Sequence, residues 1–166
     1  MLFVDLDGVL VDFRQGVFDK FGEHLFERKG EIPWDALDHD FYANLPTIEG
    51  GVDFFRTVQK KYDARVLTGT TLLPGCFSGK AEWLVRELGL GDHWILQKAT
   101  LCASNAKRLL AREGAILIDD RKKNIDQWIE NEGIGIFIEN RPTLETWEAI
   151  LNLLEGTVYE NTLHTF

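Results

Sequence analysis

Two aspartates spaced two residues apart, Asp5 and Asp7, follow the apolar run Leu2–Val4 and precede Gly8. Residues at positions i and i+2 face the same side of an extended chain, so their carboxylates should lie close together. Such a pair repels itself unless a cation joins it, and Mg²⁺ suits oxygen ligands and also binds phosphate. The pair is therefore a candidate metal site, although solvated acids capping a strand end would give the same pattern.

A second acidic pair, Asp119-Asp120, follows the apolar run Ala115–Ile118. Two acids at a helix N-terminus would be favoured by the helix dipole alone, which is a good alternative for Asp120. That alternative weakens if both acidic pairs share one site, because clustered carboxylates need a cation. The candidate metal ligands are Asp5, Asp7, Asp119 and Asp120.

Groups that bind phosphate stand near the acids in the predicted fold. Thr68 and Gly69 end the apolar run Arg65–Leu67, where a hydroxyl and free backbone N–H groups can hold phosphate oxygens. Lys107 and Lys80 are candidate phosphate cations. Each signal alone is weak, because Thr-Gly is common in turns and most lysines are simply solvated.

Short apolar runs alternate with amphipathic stretches along the chain, and the runs are typical of central strands in a parallel sheet. Five strands are predicted, at Leu2–Leu6, Ala64–Leu67, Trp94–Leu96, Ala115–Ile118 and Ile134–Ile138. Five helices are predicted, at Val52–Tyr62, Lys80–Leu88, Asn105–Glu113, Asn124–Asn131 and Leu144–Leu154. This alternation predicts an α/β fold with a doubly wound parallel (Rossmannoid) sheet, in which ligands bind beyond the carboxyl ends of the strands.

The interval from Asp5 to Thr68 is too long for a single crossover. We interpret residues 12–45 as a small, partly helical cap inserted after the first strand, and residues 1–11 and 46–166 as the core domain. An elaborated crossover that packs on the sheet would give the same pattern. Residues 158–166 fit an extra strand, a partner contact or a loose tail.

Composition limits the possible partners. The chain has 166 residues and a net charge of -9, with no basic stripe, so nucleic acid is not expected as a partner. No run reaches the roughly 20 apolar residues of a membrane span. No signal peptide is recognised after Met1, and two distant cysteines do not form a disulfide framework, so a cytoplasmic location is expected. A homodimer is left open.

Taken in order, these pieces resemble the haloacid dehalogenase (HAD) superfamily of phosphohydrolases. The first motif of that superfamily is matched by Asp5-Leu6-Asp7-Gly8, and the second, a Ser or Thr after an apolar strand, by Thr68. The third, an upstream lysine, is best matched by Lys107, and the fourth by Asp119-Asp120. The resemblance covers most of the chain and implies a Mg²⁺-dependent phosphatase.

A closer resemblance is to the 5'(3')-deoxyribonucleotidases, including their phage and bacterial members. It is carried by the runs Asp5–Phe13, Lys80–Leu84 and Leu117–Arg121, the last of which is followed by Asn124-Ile125 and Trp128. The cap of that family also lies between the first and second motifs. In that family the lysine after the second motif touches phosphate, and aromatic residues embrace the base.

Phe13 matches one of those aromatics by its spacing, and Trp34 and Phe41 are candidate cap aromatics. Two departures are visible. Gly69 stands where the animal enzymes often have Ser, and the cap is shorter. The substrate is therefore expected to be a small phosphomonoester, with a nucleotide as the first hypothesis. Another small phosphoester, a terminal phosphate on nucleic acid, or a catalytically idle binding module are the alternatives.

The resemblance also implies roles for the residues. Asp5 would attack phosphorus to form an aspartyl-phosphate, and Asp7 would protonate the leaving oxygen and then activate water. Mg²⁺ would be bound by the acids, with Asp119 orienting Lys107 or a water molecule. Thr68, the Gly69 N–H and Lys107 would hold the phosphate oxygens, with Lys80 as a second cation.

We predict that Asp5→Asn abolishes turnover and leaves the fold intact, because an amide cannot act as the nucleophile. Phosphatase activity in the presence of Mg²⁺ and a circular dichroism spectrum measure the two outcomes. Near wild-type activity in the Asp5→Asn variant would rule out this mechanism.

Overall fold

A parallel β-sheet forms the centre of the molecule. The computed structural model describes residues 1–22, 32–89, 98–156 and 163–166. Within them, all strand pairs are parallel and the order is β3-β2-β1-β4-β5-β6. The strands are β1 (Leu2–Val4), β2 (Arg65–Thr70), β3 (Ala99–Ala103), β4 (Ile116–Asp119), β5 (Ile134–Phe137) and β6 (Leu163–Thr165). The predicted α/β fold with a parallel sheet is confirmed.

Helices connect the strands, and local signals explain where several of them begin. Asp12 caps the first helix by accepting a hydrogen bond from Gln15 N at 2.9 Å, Pro74 occupies the first turn of the fourth, and Thr143 caps the last. The described helices are α1 (Phe13–Phe21), α2 (His39–Ala43), α3 (Gly51–Tyr62), α4 (Pro74–Leu88), α5 (Lys122–Glu130) and α6 (Leu144–Glu155). Short 3-10 turns lie at Trp34–Ala36 and Lys107–Leu110.

Both faces of the sheet are covered, as a doubly wound fold requires. Alternate residues of a strand point to opposite faces, and β1 accordingly contributes to two separate hydrophobic clusters. Leu2 and Val4 belong to the cluster that also contains residues of α1, α2, α3, α4 and α6. Phe3 belongs to the other, where its ring meets the ring of Trp128 on α5 edge to face at 5.5 Å.

The described part of the 12–45 segment packs on the first of these faces. Val17 and Tyr42 lie in the same hydrophobic cluster as the sheet, and α2 lies directly against α4. A Cβ placed on Gly79 would lie 2.4 Å from the carbonyl oxygen of His39, so only glycine permits this approach. The division into core and cap domains stays a prediction, since one cluster serves both.

Two predicted elements differ from the structure. The predicted strand Trp94–Leu96 lies outside the described residues, and the observed third strand is Ala99–Ala103. This strand is half-exposed and therefore lacks the continuous apolar run of a central strand. The predicted helix Asn105–Glu113 is only the 3-10 turn Lys107–Leu110, which has no side-chain N-cap.

Among the residues that the structure describes, no helix has the length and apolar character needed to cross a membrane.

We predict that Gly79→Ala lowers the free energy of unfolding by about 1–3 kcal/mol, because the added methyl group must push α2 away from α4. Urea denaturation measures this change. Gly156→Ala is the matched control, since its Cβ would meet its nearest neighbour at 3.4 Å, an ordinary contact. Equal stability of the two variants would contradict the close helix packing.

Candidate active site

The carboxyl ends of β1, β2, β3 and β4 border a cleft of about 800 Å³. Two predicted site residues, Thr68 and Asp119, lie beneath its surface and are fully buried. The predicted site residues that line it are Asp5, Asp7, Phe13, Trp34, Gly69, Lys80, Lys107 and Asp120. The structure therefore brings the acids, the lysines and the aromatic residues of the prediction to one place.

Lys107 joins the first and fourth strands at the floor of the cleft. Its Nζ lies 2.7 Å from Asp5 Oδ1 and 2.6 Å from Asp119 Oδ2, and all three side chains are buried. Burial alone would lower the pKa of Lys107, but the two carboxylates outweigh it and raise the pKa above its ordinary value. Lys107 is therefore a fixed cation next to the candidate nucleophile.

Several protein groups donate hydrogen bonds to the Asp119 carboxylate. Besides Lys107, it accepts hydrogen bonds from the backbone N–H of Arg121 at 2.8 Å and from Asn124 Nδ2 at 3.0 Å to each oxygen. Both of its oxygens are thus in use. Asp119 is therefore held in contact with Lys107, and its carboxylate lies within the acidic cluster.

Lys80 organises the opposite side of the site. Its side chain is only 2% exposed, and its ammonium group pairs with Asp7 Oδ2. It also donates to Thr68 Oγ1 at 3.0 Å and to the carbonyl oxygen of Gly69 at 2.6 Å. The Thr68 hydroxyl therefore accepts a hydrogen bond from Lys80 beneath the surface of the cleft. Gly69, in contrast, lines the cleft.

Gly8 lets the two acidic pairs approach each other. It has a positive φ of 75°, and a Cβ at this position would lie 2.1 Å from Asp120 Oδ2. Oxygens of Asp5, Asp119 and Asp120 all lie within 4.8 Å of one another. The second oxygen of Asp7, Oδ1, is buried and has no hydrogen-bond partner among the described residues.

The electrostatics of this cluster fit a divalent cation. Burial, supplemented by the neighbouring carboxylates, raises the pKa of Asp5 to about 8 and that of Asp120 to about 7. An oxygen-only donor set with this much concentrated negative charge suits Mg²⁺. Asp5 and Asp120 are the residues that would hold it, with Asp119 behind them.

Aromatic residues form the outer wall of the cleft. The rings of Phe13 and Trp34 are stacked, with centroids 6.0 Å apart and an interplanar angle of 23°. Phe13 also meets Phe41 edge to face at 5.5 Å, and Trp34 is 49% exposed. Phe13 and Trp34 therefore line the same cleft as the acids, and the buried Phe41 packs against Phe13.

Asn124, which belongs to the segment that resembles the fourth motif, supports Asp119. Arg141 and Ser104 are cleft residues that were not recognised in the sequence. Arg141 lines the cleft and pairs with Asp12 at 3.0 Å, a contact between distant segments that leaves no local pattern. Ser104 also lines the cleft, in a stretch without a recognisable motif.

Comparison with solved structures identifies the fold. A magnesium-bound HAD hydrolase of Bacillus subtilis has a TM-score of 0.58 at 12% identity, over 92% of this chain and 97% of that one. The D,D-heptose 1,7-bisphosphate phosphatase of Burkholderia thailandensis has a TM-score of 0.54 at 10% identity, over 99% and 90%. These likenesses show that the chain has the fold of the HAD hydrolases, with its acidic site at the carboxyl edge of the sheet.

A sequence relative identifies the family. A protein of Vibrio phage KVP40 that is assigned as a 5'(3')-deoxyribonucleotidase is 30% identical over 128 residues, 75% of this chain and 68% of its own length. The chain belongs to the 5'(3')-deoxyribonucleotidase family and is a phosphoric monoester hydrolase. The 5'(3')-deoxyribonucleotidases of Bacillus subtilis and of Bacillus phage SPbeta are each 26% identical over 152 residues, 82% of this chain and 83% of theirs. No protein-family model matches.

We predict that Mg²⁺ raises the melting temperature more at pH 8 than at pH 6. In the metal-free protein the raised pKa values of Asp5 and Asp120 mean that the folded state holds more protons than the unfolded state between about pH 4 and pH 8. Stability without metal therefore falls as pH rises through this range, and Mg²⁺ must displace those protons. Thermal denaturation with and without Mg²⁺ measures both trends.

The Asp120→Asn variant is the control for this prediction. Removing one charge should raise the melting temperature of the metal-free protein at pH 8 and weaken its response to Mg²⁺. A response to Mg²⁺ that is equal at both pH values would contradict the coupling between metal and protons.

Proposed function

We propose that this enzyme is a cytoplasmic, Mg²⁺-dependent phosphatase for (deoxy)nucleoside monophosphates. The observation that carries the substrate class is the stacked pair Phe13–Trp34 on the wall of the cleft whose floor holds Asp5. A flat, half-exposed aromatic platform suits a nucleobase, and the acidic end suits the phosphate. The relatives of Bacillus subtilis and of Bacillus phage SPbeta are named 5'(3')-deoxyribonucleotidases, and these names support the same substrate class for this enzyme.

The size of the cleft supports a small substrate. Its volume of about 800 Å³ lies within the range of sites for small molecules. The net charge of -9 also opposes long-range attraction of a polynucleotide. A cytoplasmic location is supported by the two cysteines, which are both free thiols.

In the first step we propose that Asp5 attacks phosphorus. A bond forms between an Asp5 carboxylate oxygen and phosphorus as the bond from phosphorus to the sugar oxygen breaks. The contacts to Asp5 from Lys107 Nζ and from Leu6 N, at 2.7 Å each, both go to Oδ1, which leaves Oδ2 for the substrate. Asp7 gives a proton to the departing sugar oxygen.

In the second step Asp7 takes a proton from water as the water oxygen attacks the phosphorus of the aspartyl-phosphate. The Asp5–phosphorus bond breaks, and inorganic phosphate leaves. Lys80 pairs with Asp7 Oδ2 and so holds this side chain in place during both steps, while the other carboxylate oxygen, Oδ1, transfers the proton. This division gives one carboxylate the covalent chemistry and the other the proton transfer.

Charge on the transferring phosphoryl group must be balanced by fixed cations. Lys107 and Lys80 lie on opposite sides of the acids, and each is anchored by at least two protein acceptors, so their positions require little reorganisation during reaction. Mg²⁺ bound by Asp5 and Asp120 would neutralise the acidic cluster and the phosphate oxygens. Asp119 and Asn124 would keep Lys107 correctly oriented.

We also propose that residues 12–45 act as the cap, because they supply Phe13 and Trp34, while residues 1–11 and 46–166 supply the acids and lysines. Base recognition and phosphate chemistry would then belong to different segments. The cap would govern which nucleotide binds, and the core would govern how fast its phosphate is removed.

A substrate panel with Mg²⁺ tests the proposal. Deoxy- and ribonucleoside 5'- and 3'-monophosphates should be hydrolysed with higher kcat/KM than sugar phosphates or phenyl phosphate. Trp34→Ala should raise KM for nucleotides several-fold, by the roughly 1 kcal/mol of an aromatic contact, and leave sugar phosphate hydrolysis unchanged. Equal rates across the panel would rule out the nucleotide substrate and leave the phosphatase activity standing.

A further inference from the structure

Ser104 lies beside Gly69 at the carboxyl end of the sheet. β2 and β3 pair in the register Gly69↔Cys102 and Thr70↔Ala103, so Ser104 is the first residue after β3. A Cβ placed on Gly69 would lie 3.0 Å from Ser104 Cα and 3.3 Å from Ser104 Cβ. Ser104 therefore fills the space that a side chain at position 69 would need.

The position of Ser104 is fixed from both sides. It follows a paired strand, and the next turn is closed by a 2.8 Å hydrogen bond from Ala106 N to Ala103 O. This turn leads directly to Lys107, which is anchored by Asp5 and Asp119. Ser104 is exposed and lines the cleft together with Asp5 and Lys107.

Neighbouring hydroxyl groups are already used by the protein. The Thr68 hydroxyl accepts from Lys80 at 3.0 Å and is buried. The Thr70 hydroxyl donates to Cys102 O at 3.1 Å. The Ser104 hydroxyl has no hydrogen bond to any residue in the described ranges, although it lies on the wall of the cleft.

We infer that the Ser104 hydroxyl binds the substrate by donating a hydrogen bond to a non-bridging phosphate oxygen. It supplies, from the neighbouring strand, the side-chain hydroxyl that Gly69 lacks. This inference deepens the proposed function and rests on its phosphate site. It does not depend on the base or the sugar, because every phosphomonoester carries the same phosphate oxygens.

Ser104→Ala tests the inference. A hydrogen bond to a charged oxygen contributes enough for its loss to lower kcat/KM by roughly tenfold or more. The decrease should be the same for deoxynucleoside monophosphates and for phenyl phosphate. The inhibition constant of inorganic phosphate, measured with Mg²⁺, should rise by a similar factor, and Ser104→Thr should restore most of both losses.

Ser78→Ala is the matched control, because Ser78 is the only other serine of the chain and lies on α4, where it bonds to His39 at 2.8 Å rather than facing the cleft. It should leave kcat/KM and phosphate inhibition unchanged. Melting temperatures should show that Ser104→Ala is folded, since the removed hydroxyl makes no bond within the described protein.

Two results would overturn the inference. One is an unchanged inhibition constant for inorganic phosphate in Ser104→Ala. The other is a loss confined to nucleotides, which would place the hydroxyl on the sugar or base. If the wild-type enzyme instead favours phenyl phosphate over nucleotides, the nucleotide proposal fails, and a raised inhibition constant for phosphate still supports the role of Ser104.

Discussion

Repulsion between buried carboxylates is the constraint on which the rest of the site depends. Asp5, Asp7, Asp119 and Asp120 all stand at one edge of the sheet, and leaving such a charge unpaired in the interior costs several kcal/mol. Lys107 offsets this repulsion between β1 and β4 by lying between Asp5 and Asp119. The ion pairs therefore hold the two central strands in the geometry that the chemistry requires.

The two buried lysines divide the acids between them. Lys107 pairs with Asp5, the proposed nucleophile, and with Asp119. Lys80 pairs with Asp7 and bonds to Thr68 and Gly69 at the end of β2. Each proposed chemical role thus has its own cation. Asp120 pairs with neither lysine among the described contacts, and it remains the carboxylate with the most freedom to bind a metal.

The acids and the central strands could be predicted from the sequence because both leave short local patterns. Asp5 and Asp119 each end a buried apolar run, and parallel strands bring such ends together. The edge strand Ala99–Ala103 could not be predicted, because half-exposed residues dilute its apolar pattern. The contact of Ser104 with Gly69 depends on that strand and on its register, so no local sequence pattern predicts it.

The lysines show the same limit. Both were candidates, but which acid each would meet depends on how α4 and the Lys107–Leu110 turn pack against the sheet. The role of Thr68 in phosphate binding stays a prediction, since the structure shows its buried hydroxyl accepting a hydrogen bond from Lys80. The sequence spacing predicts that these residues lie at one edge of the sheet. The packing of the helices determines which of them line the cleft.

The order of the strands has a consequence for how the molecule folds. β1 lies at the centre of the sheet, yet its partners are distant in sequence, because Phe3 pairs with both Arg65 and Leu117. Two long loops must close before this strand is covered, and loop closure costs entropy before the new contacts repay it. The proposed nucleophile is therefore carried by a segment that cannot be stable by itself, and the candidate active site becomes complete only when the whole core has assembled.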